Sequence, residues 1–324
     1  MSLARSTAAT RIATAIGVVA AGALAWGSLV ERTRWTLRRV VVPVLPPGSE
    51  PIRVLHVSDL HMAPWQRSKQ EWIASLAALR PDLIVNTGDN LGHERGIEGV
   101  RRAFASFAGV PGVFVNGSND YFGPVLKNPL RYFGGPSKVS GRAKRLDIDA
   151  LHGLFRELGW IDLDNAAAAM ELRGTRFEFL GVDDPHKGYD RLDLIAAAID
   201  DLRSDDPLGE ESWPDRGAQA TRPIVTVGVT HAPYRRVLNS FVNHGAQLLL
   251  AGHTHGGQVC LPGYGTLVTN CDIPRQQAKG LSVWRHGLRS AFLNVSAGLG
   301  TSIYAPIRFA CPPEATLLTL TPAD

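Results

Sequence analysis

The stretch VLHVSDLH, at residues 54–61, decides the fold because a β-type apolar run leads directly into two side chains that can bind metal. Val54–Val57 has the composition of a buried strand, and Asp59 and His61 follow it at once. Leu83–Asn86 is a second such run, and a helical pattern that stops at a proline lies between the two. This order predicts a βαβ unit and a mainly parallel sheet, with ligands at the carboxyl ends of its strands.

Apolar runs continue the alternation of strands and helices along the rest of the chain. A helical stretch near Ile97–Phe107 leads to a predicted strand at Val113–Val115. Short runs at Val283, Ala291–Val295 and Ala315–Leu320 are expected to complete a second sheet. Its other predicted strands are Ala169–Leu172, Phe177–Val182, Ile224–Val229 and Gln247–Ala251, and its predicted helices are Leu192–Leu202 and Arg235–Asn243.

The composition excludes several classes of protein. The chain has 324 residues, 44% of them hydrophobic, which suffices for one large domain with its own core. The formal net charge of +4 comes without a dense tract of lysine and arginine, so nucleic acid is not an expected partner. Cys260, Cys271 and Cys311 are odd in number and form no CxxC pair. We therefore expect buried thiols, with neither a disulfide framework nor a thiolate zinc site.

The amino-terminal region carries an apolar segment. Ile12–Val30 has no charged side chain and is long enough to cross a bilayer core as one helix. A single-pass membrane anchor is the first interpretation; a signal peptide is the alternative, because Ala23-Leu24-Ala25 resembles a cleavage site. Fewer arginines precede the segment than follow it, which predicts a cytoplasmic location for the large domain. These arginines are Arg5 and Arg11 before the segment and Arg32, Arg34, Arg38 and Arg39 after it.

The predicted organisation is one catalytic domain behind this anchor. We expect a tail at 1–11, the anchor at 12–30, a juxtamembrane segment at 31–51 and a domain at 52–322. An insertion near 123–147 is basic and turn-rich, and it is interpreted either as a solvated loop or as a lid near anionic headgroups or substrate. A second insertion near 200–222 is acidic and is predicted to be a mobile connection.

Six side chains of metal-binding type follow predicted strands. Two pairs among them are separated by a single residue, so both members of a pair can point to the same side of an extended segment. One carboxylate follows a glycine at a strand end, where it can bridge two cations. Because histidine and carboxylate are the only ligand types, Mn, Fe or Zn is favoured. The six are Asp59, His61, Asp89, His231, His253 and His255.

Five motifs in this order resemble those of the calcineurin-like metallophosphoesterases, over about residues 52–320. They are Asp59-Leu60-His61, Gly88-Asp89-Asn90, Gly117-Ser118-Asn119-Asp120, Thr230-His231-Ala232-Pro233 and Gly252-His253-Thr254-His255. Ser58–His61, Gly252–Gln258, Gly298-Leu299-Gly300, Arg308 and Pro313-Glu314 are similar, more narrowly, to the bacterial membrane-associated branch of that family.

The resemblance implies a four-layer α-β-β-α sandwich and a centre with two divalent metal ions. Asp59, His61 and His255 would hold one ion, His231 and His253 the other, and Asp89 would bridge them. A hydroxide shared by the ions would attack phosphorus while the ions offset charge on the phosphoryl oxygens.

The third motif departs from the family pattern, which is Gly-Asn-His followed by Asp or Glu. In that pattern the Asn is a ligand of the second metal, and the His assists at the phosphate or the leaving group. Here Ser118 takes the ligand place and Asn119 the histidine place, unless a shift of one residue lets Asn119 ligate instead. A serine hydroxyl is a weaker ligand, and an amide cannot act as a general acid.

We therefore predict a membrane-anchored phosphoesterase whose substrates have good leaving groups. A phosphodiester or pyrophosphate, lipid-linked because the anchor keeps the site near the bilayer, is the expected substrate. Two alternatives are a phosphodiesterase for soluble nucleotides and a metal-dependent binding or regulatory module with little turnover. Arg308 and Glu314 are expected to pack and not to contact substrate.

Overall fold

A sheet of six strands carries the amino-terminal half of the fold. The structure is a computed structural model that describes residues 2–125, 143–204 and 224–323. The strands are β1 (Thr36–Leu45), β2 (Ile52–Val57), β3 (Leu83–Asn86), β4 (Gly112–Phe114), β5 (Trp160–Asp162) and β14 (Glu314–Pro322). Their order is β1-β14-β2-β3-β4-β5, and every neighbouring pair is parallel except β14 with β2.

A second sheet of six strands faces the first. Its strands are β6 (Ala166–Leu172), β7 (Thr175–Gly181), β8 (Ile224–Thr230), β9 (Leu248–Ala251), β12 (Gly280–His286) and β13 (Arg289–Val295). Their order is β12-β13-β9-β8-β7-β6, with parallel pairs in the centre and an antiparallel pair at each edge. A small hairpin of β10 (Cys260–Leu261) and β11 (Gly265–Thr266) lies apart from both sheets.

Helices cover the outer faces of both sheets. Helices α2, α3 and α5 share a hydrophobic cluster with the first sheet, and α6 and α7 share another with the second. The layers are therefore helix, sheet, sheet and helix, which confirms the predicted four-layer sandwich. The helices are α1 (Ser2–Ala25), α2 (Arg67–Ser75), α3 (Ile97–Phe104), α4 (Ser118–Tyr121), α5 (Ile148–Glu157), α6 (Leu192–Ser204) and α7 (Arg235–Asn243).

Burial on both faces explains why the central strands have almost continuous apolar sequences. In β2, Ile52 and Val54 join the core between the sheets, whereas Leu55 and Val57 pack under the outer helices. All four are at most 1% exposed. Burying such a side chain contributes about 1.5–3 kcal/mol, so the strand is held from both sides. The ends of these strands are thereby fixed in space.

The carboxyl-terminal strand lies in a different sheet from the one expected. Ala315–Leu320 was predicted to complete the second sheet, but β14 is inserted between β1 and β2 of the first. The prediction was wrong because this pairing joins opposite ends of the chain and leaves no local signal. The segment expected to be juxtamembrane, 31–51, contains β1, which pairs with β14 along its length.

The apolar amino-terminal helix continues beyond α1 and then contacts the folded domain. The segment Ala9–Thr33 is long and apolar enough to cross a membrane; its most apolar 18 residues have a mean hydropathy of 1.8, and 6% of them are buried. Past α1 the chain forms a π-helical turn at Trp26–Val30 and a 3-10 turn at Glu31–Thr33. The carbonyl of Gly27 accepts a hydrogen bond from the backbone N–H of Arg308 (3.1 Å).

Most of the two predicted insertions lies outside the described residues. Within them, 200–204 belong to α6, Lys144 pairs with Glu94, and the guanidinium of Arg145 lies 5.9 Å from the ring centre of Phe122. The three cysteines are free thiols, two of them buried and Cys271 half-buried.

Candidate metal centre

The six predicted ligands converge where the strands of the two sheets end. Asp59 and Asp89 follow the neighbouring strands β2 and β3 of the first sheet. His231 follows β8 of the second sheet, and His253 and His255 follow its neighbour β9. The carboxyl ends of both sheets thus meet at one place, as expected where parallel strands end together.

Four of the six side chains form the first half of the site. Nε2 of His61 lies 3.2 Å from Nε2 of His255 and 3.5 Å from Oδ2 of Asp89. Nε2 of His255 lies 3.5 Å from Oδ1 of Asp59. Ligand atoms of Asp59, His61, Asp89 and His255 all lie within 4.8 Å of one another, which is close enough to surround a single ion.

The second half uses the other oxygen of Asp89. Nε2 of His231 lies 3.5 Å from Oδ1 of Asp89 and 3.2 Å from Nδ1 of His253. The two carboxylate oxygens of Asp89 therefore face different groups of histidines. A carboxylate in this arrangement could bridge two metal ions.

Five of these six residues adopt left-handed backbone conformations. Their φ angles are 50° at Asp59, 41° at His61, 55° at Asp89, 68° at His253 and 50° at His255. Residues with side chains rarely adopt such angles, and clusters of them occur at functional sites because the surrounding fold enforces them. Asp59-x-His61 and His253-x-His255 are thus not the extended segments assumed from sequence.

A buried carboxylate outside the six holds the loop of Asp89 in place. Asp120 accepts hydrogen bonds from the backbone N–H groups of Asp89 (2.9 Å), Asn90 (2.7 Å) and Gly117 (2.9 Å). Asp120 ends the third motif, but its spacing alone gave it no role. Similarly, Nδ1 of His231 lies 2.7 Å from the carbonyl oxygen of Thr87, so its Nε2 is turned toward Asp89.

Electrostatics keep three of the four histidines neutral. Burial lowers the pKa of His61 to about 4 and lowers the pKa of His253 and of His255 well below the usual value. At His231 burial acts in the same direction, but nearby carboxylates, Asp89 first, outweigh it and raise the pKa to about 9. Burial raises the pKa of Asp59 to about 6. Neutral imidazoles offer lone pairs to a metal, so the lowered pKa values of His61, His253 and His255 suit ion binding.

The two residues of the altered motif point to different partners. The hydroxyl of Ser118 donates to the carboxylate of Asp184, which lies in the loop after β7. The side-chain amide of Asn119 donates to Oδ2 of Asp89 (2.6 Å), and its backbone N–H donates to Oδ1 (2.7 Å). Burial raises the pKa of Asp184 to about 6. Asp184 has no signal in the sequence, because its partner Ser118 lies 66 positions away along the chain.

Arg308 and Glu314 pack within the protein, as predicted. The guanidinium of Arg308 is fully buried and donates to the carbonyls of Ala297 and Gly300, both at 2.7 Å. Glu314 accepts a two-pronged hydrogen bond from Arg38, at 3.1 and 2.7 Å. A guanidinium nitrogen of Arg308 also lies 3.3 Å from Nδ1 of His255, so Arg308 contacts a histidine of the first half of the site.

The donor set fits divalent transition metals. Imidazole nitrogens and carboxylate oxygens are the ligands that Zn, Mn and Fe accept, and the ligand atoms of the first half lie close enough together to hold an ion. A sandwich of two sheets with such a centre at its strand ends defines a class of metal-dependent phosphoester hydrolases.

The chain belongs to the calcineurin-like phosphoesterase family, whose sequence model matches residues 52–257. Two curated relatives from Bacillus subtilis match most of its length. An uncharacterized metallophosphoesterase, YkuE, is 24% identical and covers 94% of each chain. An uncharacterized protein, YpbG, is 23% identical over 84% of this chain and 82% of its own. A solved dimetal phosphatase from Danio rerio is 12% identical, with a TM-score of 0.38 over 77% of this chain and 88% of its own.

Proposed function

We propose that this chain uses two metal ions to hydrolyse a phosphodiester or pyrophosphate linked to a lipid. Asp89 is the observation that carries the two-metal part of the proposal, because its two oxygens face two separate sets of histidines. Asp59, His61 and His255 would hold one ion, and His231 and His253 the other. Two divalent ions would supply Lewis-acid polarisation of the phosphoryl oxygens and an activated water.

The protein's own groups prepare the centre for this chemistry. Asp120 fixes the loop of Asp89 through three backbone N–H groups, so the shared carboxylate is oriented before any ion binds. Asn119 donates to Asp89 and carries no acidic proton suited to a leaving group. Substrates that leave as stabilised anions, such as phosphodiesters with acidic alcohols and pyrophosphates, therefore suit this site best.

The docking of the amino-terminal helix supports a lipid-linked substrate. Gly27 at the end of this helix contacts Arg308, and Arg308 lies 3.3 Å from Nδ1 of His255. Trp26, next to Gly27 in the chain, is about half exposed, as aromatic residues at a membrane surface often are. If the helix spans a membrane, the candidate centre lies beside the bilayer. The proposed location is a single-pass membrane protein with the catalytic domain in the cytoplasm.

Metal content and turnover test the centre directly. The full chain in detergent should bind two ions of Mn or Zn and release nitrophenol from bis-nitrophenyl phosphate in a metal-dependent manner. Asp89→Asn and His253→Ala should lose bound metal and most turnover. Equal turnover in these variants would refute the ligand assignment.

A comparison of two substrates tests the lipid part. Reconstituted protein should hydrolyse a lipid-linked diphosphate with a kcat/KM about 100-fold above that of its water-soluble headgroup analogue, because both partners are confined to one surface. Equal values would favour the phosphodiesterase for soluble nucleotides.

The engagement of Ser118 with Asp184 and of Asn119 with Asp89 favours one further candidate, a metal-dependent binding module. Full metal loading without turnover on any of these substrates would support that function.

A further inference from the structure

The second half of the centre has fewer protein donors than the first. Asp89 supplies one oxygen, and His231 and His253 supply one nitrogen each. Zinc and manganese sites in proteins take four or more ligands, of which some are water. The residue that would complete this half in the family pattern is Ser118, whose hydroxyl is a weak neutral ligand and already donates to Asp184.

We propose that Asp184 supplies a carboxylate ligand to the second metal position and that Ser118 holds it there. The proposal rests on the two-metal function proposed above. It changes the site by replacing a neutral ligand from the third motif with a charged one from the loop after β7.

The order of strands in the second sheet brings Asp184 to this position. Strands β9, β8 and β7 are consecutive parallel neighbours, and His253, His231 and Asp184 follow them in that order. Side chains beyond the carboxyl ends of adjacent parallel strands form a row along one edge. Asp184 therefore continues the row that His253 and His231 begin.

The surroundings of Asp184 suit a metal ligand better than a structural acceptor. Its side chain is fully buried, and its described hydrogen bonds come from the Ser118 hydroxyl and the backbone N–H of His186 (2.9 Å). A buried carboxylate needs a compensating cation, and a divalent ion at His231 would provide one.

The loop of Asp184 also encloses the second half of the site. The ring of His186 packs on the ring of His253 with 4.5 Å between their centres, and Nδ1 of His186 lies 2.9 Å from the hydroxyl of Tyr234. These contacts fix the backbone on the carboxyl-terminal side of Asp184. Its carboxylate is thus oriented by the fold and by Ser118 together.

Metal titration of the full chain in detergent tests the proposal without reference to catalysis. After removal of metal with a chelator, Zn²⁺ binding would be measured by calorimetry and by metal analysis. Asp184→Asn keeps the size and the acceptor for His186, so it is the primary variant; circular dichroism checks its folding. Asp183→Asn is the matched control, because the carboxylate of Asp183 binds the hydroxyl of Tyr121 instead.

We expect wild type and Asp183→Asn to bind two ions. Asp184→Asn should bind the first ion normally and the second at least about 100-fold more weakly, whereas Ser118→Ala, which removes only a supporting partner, should weaken the second step about 10- to 100-fold. Co²⁺ bound at the second step should also change its visible spectrum in Asp184→Asn. Two ions bound with unchanged affinity by Asp184→Asn would overturn this proposal alone. Failure of the wild type to bind two ions would overturn the two-metal function as well.

Discussion

Asn119 donates two hydrogen bonds to Asp89, one from its side-chain amide to Oδ2 (2.6 Å) and one from its backbone N–H to Oδ1 (2.7 Å). A carboxylate can only accept, so the amide nitrogen of Asn119 must face it and the amide oxygen points away. In this arrangement Asn119 orients the carboxylate of Asp89, and its amide oxygen is turned away from that carboxylate. Its role is that of a positioning residue.

Removal of this amide should weaken the centre without unfolding the protein. Asn119→Ala keeps the backbone donor and loses the side-chain donor, so we expect metal affinity and kcat/KM to fall about 10- to 100-fold. Asn119→Asp should be worse, because two acceptors would then face each other. Metal analysis and turnover of bis-nitrophenyl phosphate measure both effects. Wild-type values in Asn119→Ala would contradict the positioning role.

A histidine at this position should broaden the range of leaving groups. Asn119→His adds a group that can donate a proton, and general acids contribute about 10²–10⁴-fold for poor leaving groups. We expect kcat/KM for an alkyl monoester, divided by that for an activated aryl diester, to rise by about 100-fold. The ratio cancels any general damage to the site, and Asn119→Ala should leave it unchanged. A ratio equal in the two variants would show that the missing acid does not limit the reaction.

The close approach of two loops at Gly252 leaves no space for a side chain at this position. A methyl group there would lie 1.9 Å from Oγ of Ser58 and 2.6 Å from Oδ2 of Asp59. Gly252→Ala should therefore lower stability by about 1–3 kcal/mol and weaken metal binding at the first half. Gly153→Ala, in α5 with open space around it, should instead raise stability by about 0.5–1 kcal/mol. Urea unfolding and metal titration of both variants check this contrast.

The strands and the six side chains at their ends can be predicted from the sequence, but the contacts between distant segments cannot. β2 and β3 can be predicted because they are apolar on both faces, and the candidate metal ligands follow these strands directly in the sequence. The partners of β14 and the bond between Ser118 and Asp184 depend on how whole sheets assemble. The left-handed backbone at Asp59 and His253 was not predicted for the same reason, because the fold imposes backbone angles that local propensity disfavours.

The docking of the amino-terminal helix depends on Glu31. Its buried carboxylate accepts from the backbone N–H groups of Ala310 (3.0 Å) and Cys311 (2.6 Å) and from Nε1 of Trp26 (3.0 Å). Glu31→Ala leaves these donors without an acceptor, so we expect a loss of about 1–3 kcal/mol and faster proteolysis near residues 27–33. Glu50→Ala, at a glutamate with a 71% exposed side chain that pairs with Arg173, should change stability by less than about 0.5 kcal/mol. Equal proteolysis rates in the two variants would argue against the docked arrangement.

His56 should make the metal-free protein sensitive to acid. Its Nδ1 accepts from the amide of Asn294 (2.8 Å) and its Nε2 lies 3.0 Å from Oγ1 of Thr87, so both nitrogens are engaged by a neutral ring. Burial lowers the pKa of His56 to about 3, against 6.5 ordinarily. Between these pH values His56 binds a proton in the unfolded chain but stays neutral in the folded protein. The stability that depends on the neutral ring is therefore present above pH 6.5 and is lost as the pH falls toward 3.

The variant His56→Gln isolates this contribution. It should be less stable than wild type near pH 7, because the buried contacts of the ring are lost, but its disadvantage should shrink as the pH falls. The slope attributable to one proton is at most about 1.4 kcal/mol per pH unit. Urea unfolding in the presence of a chelator, repeated between pH 7 and pH 4.5, measures the difference. Parallel stability curves for the two proteins would show that His56 is protonated as easily in the folded state as in the unfolded state.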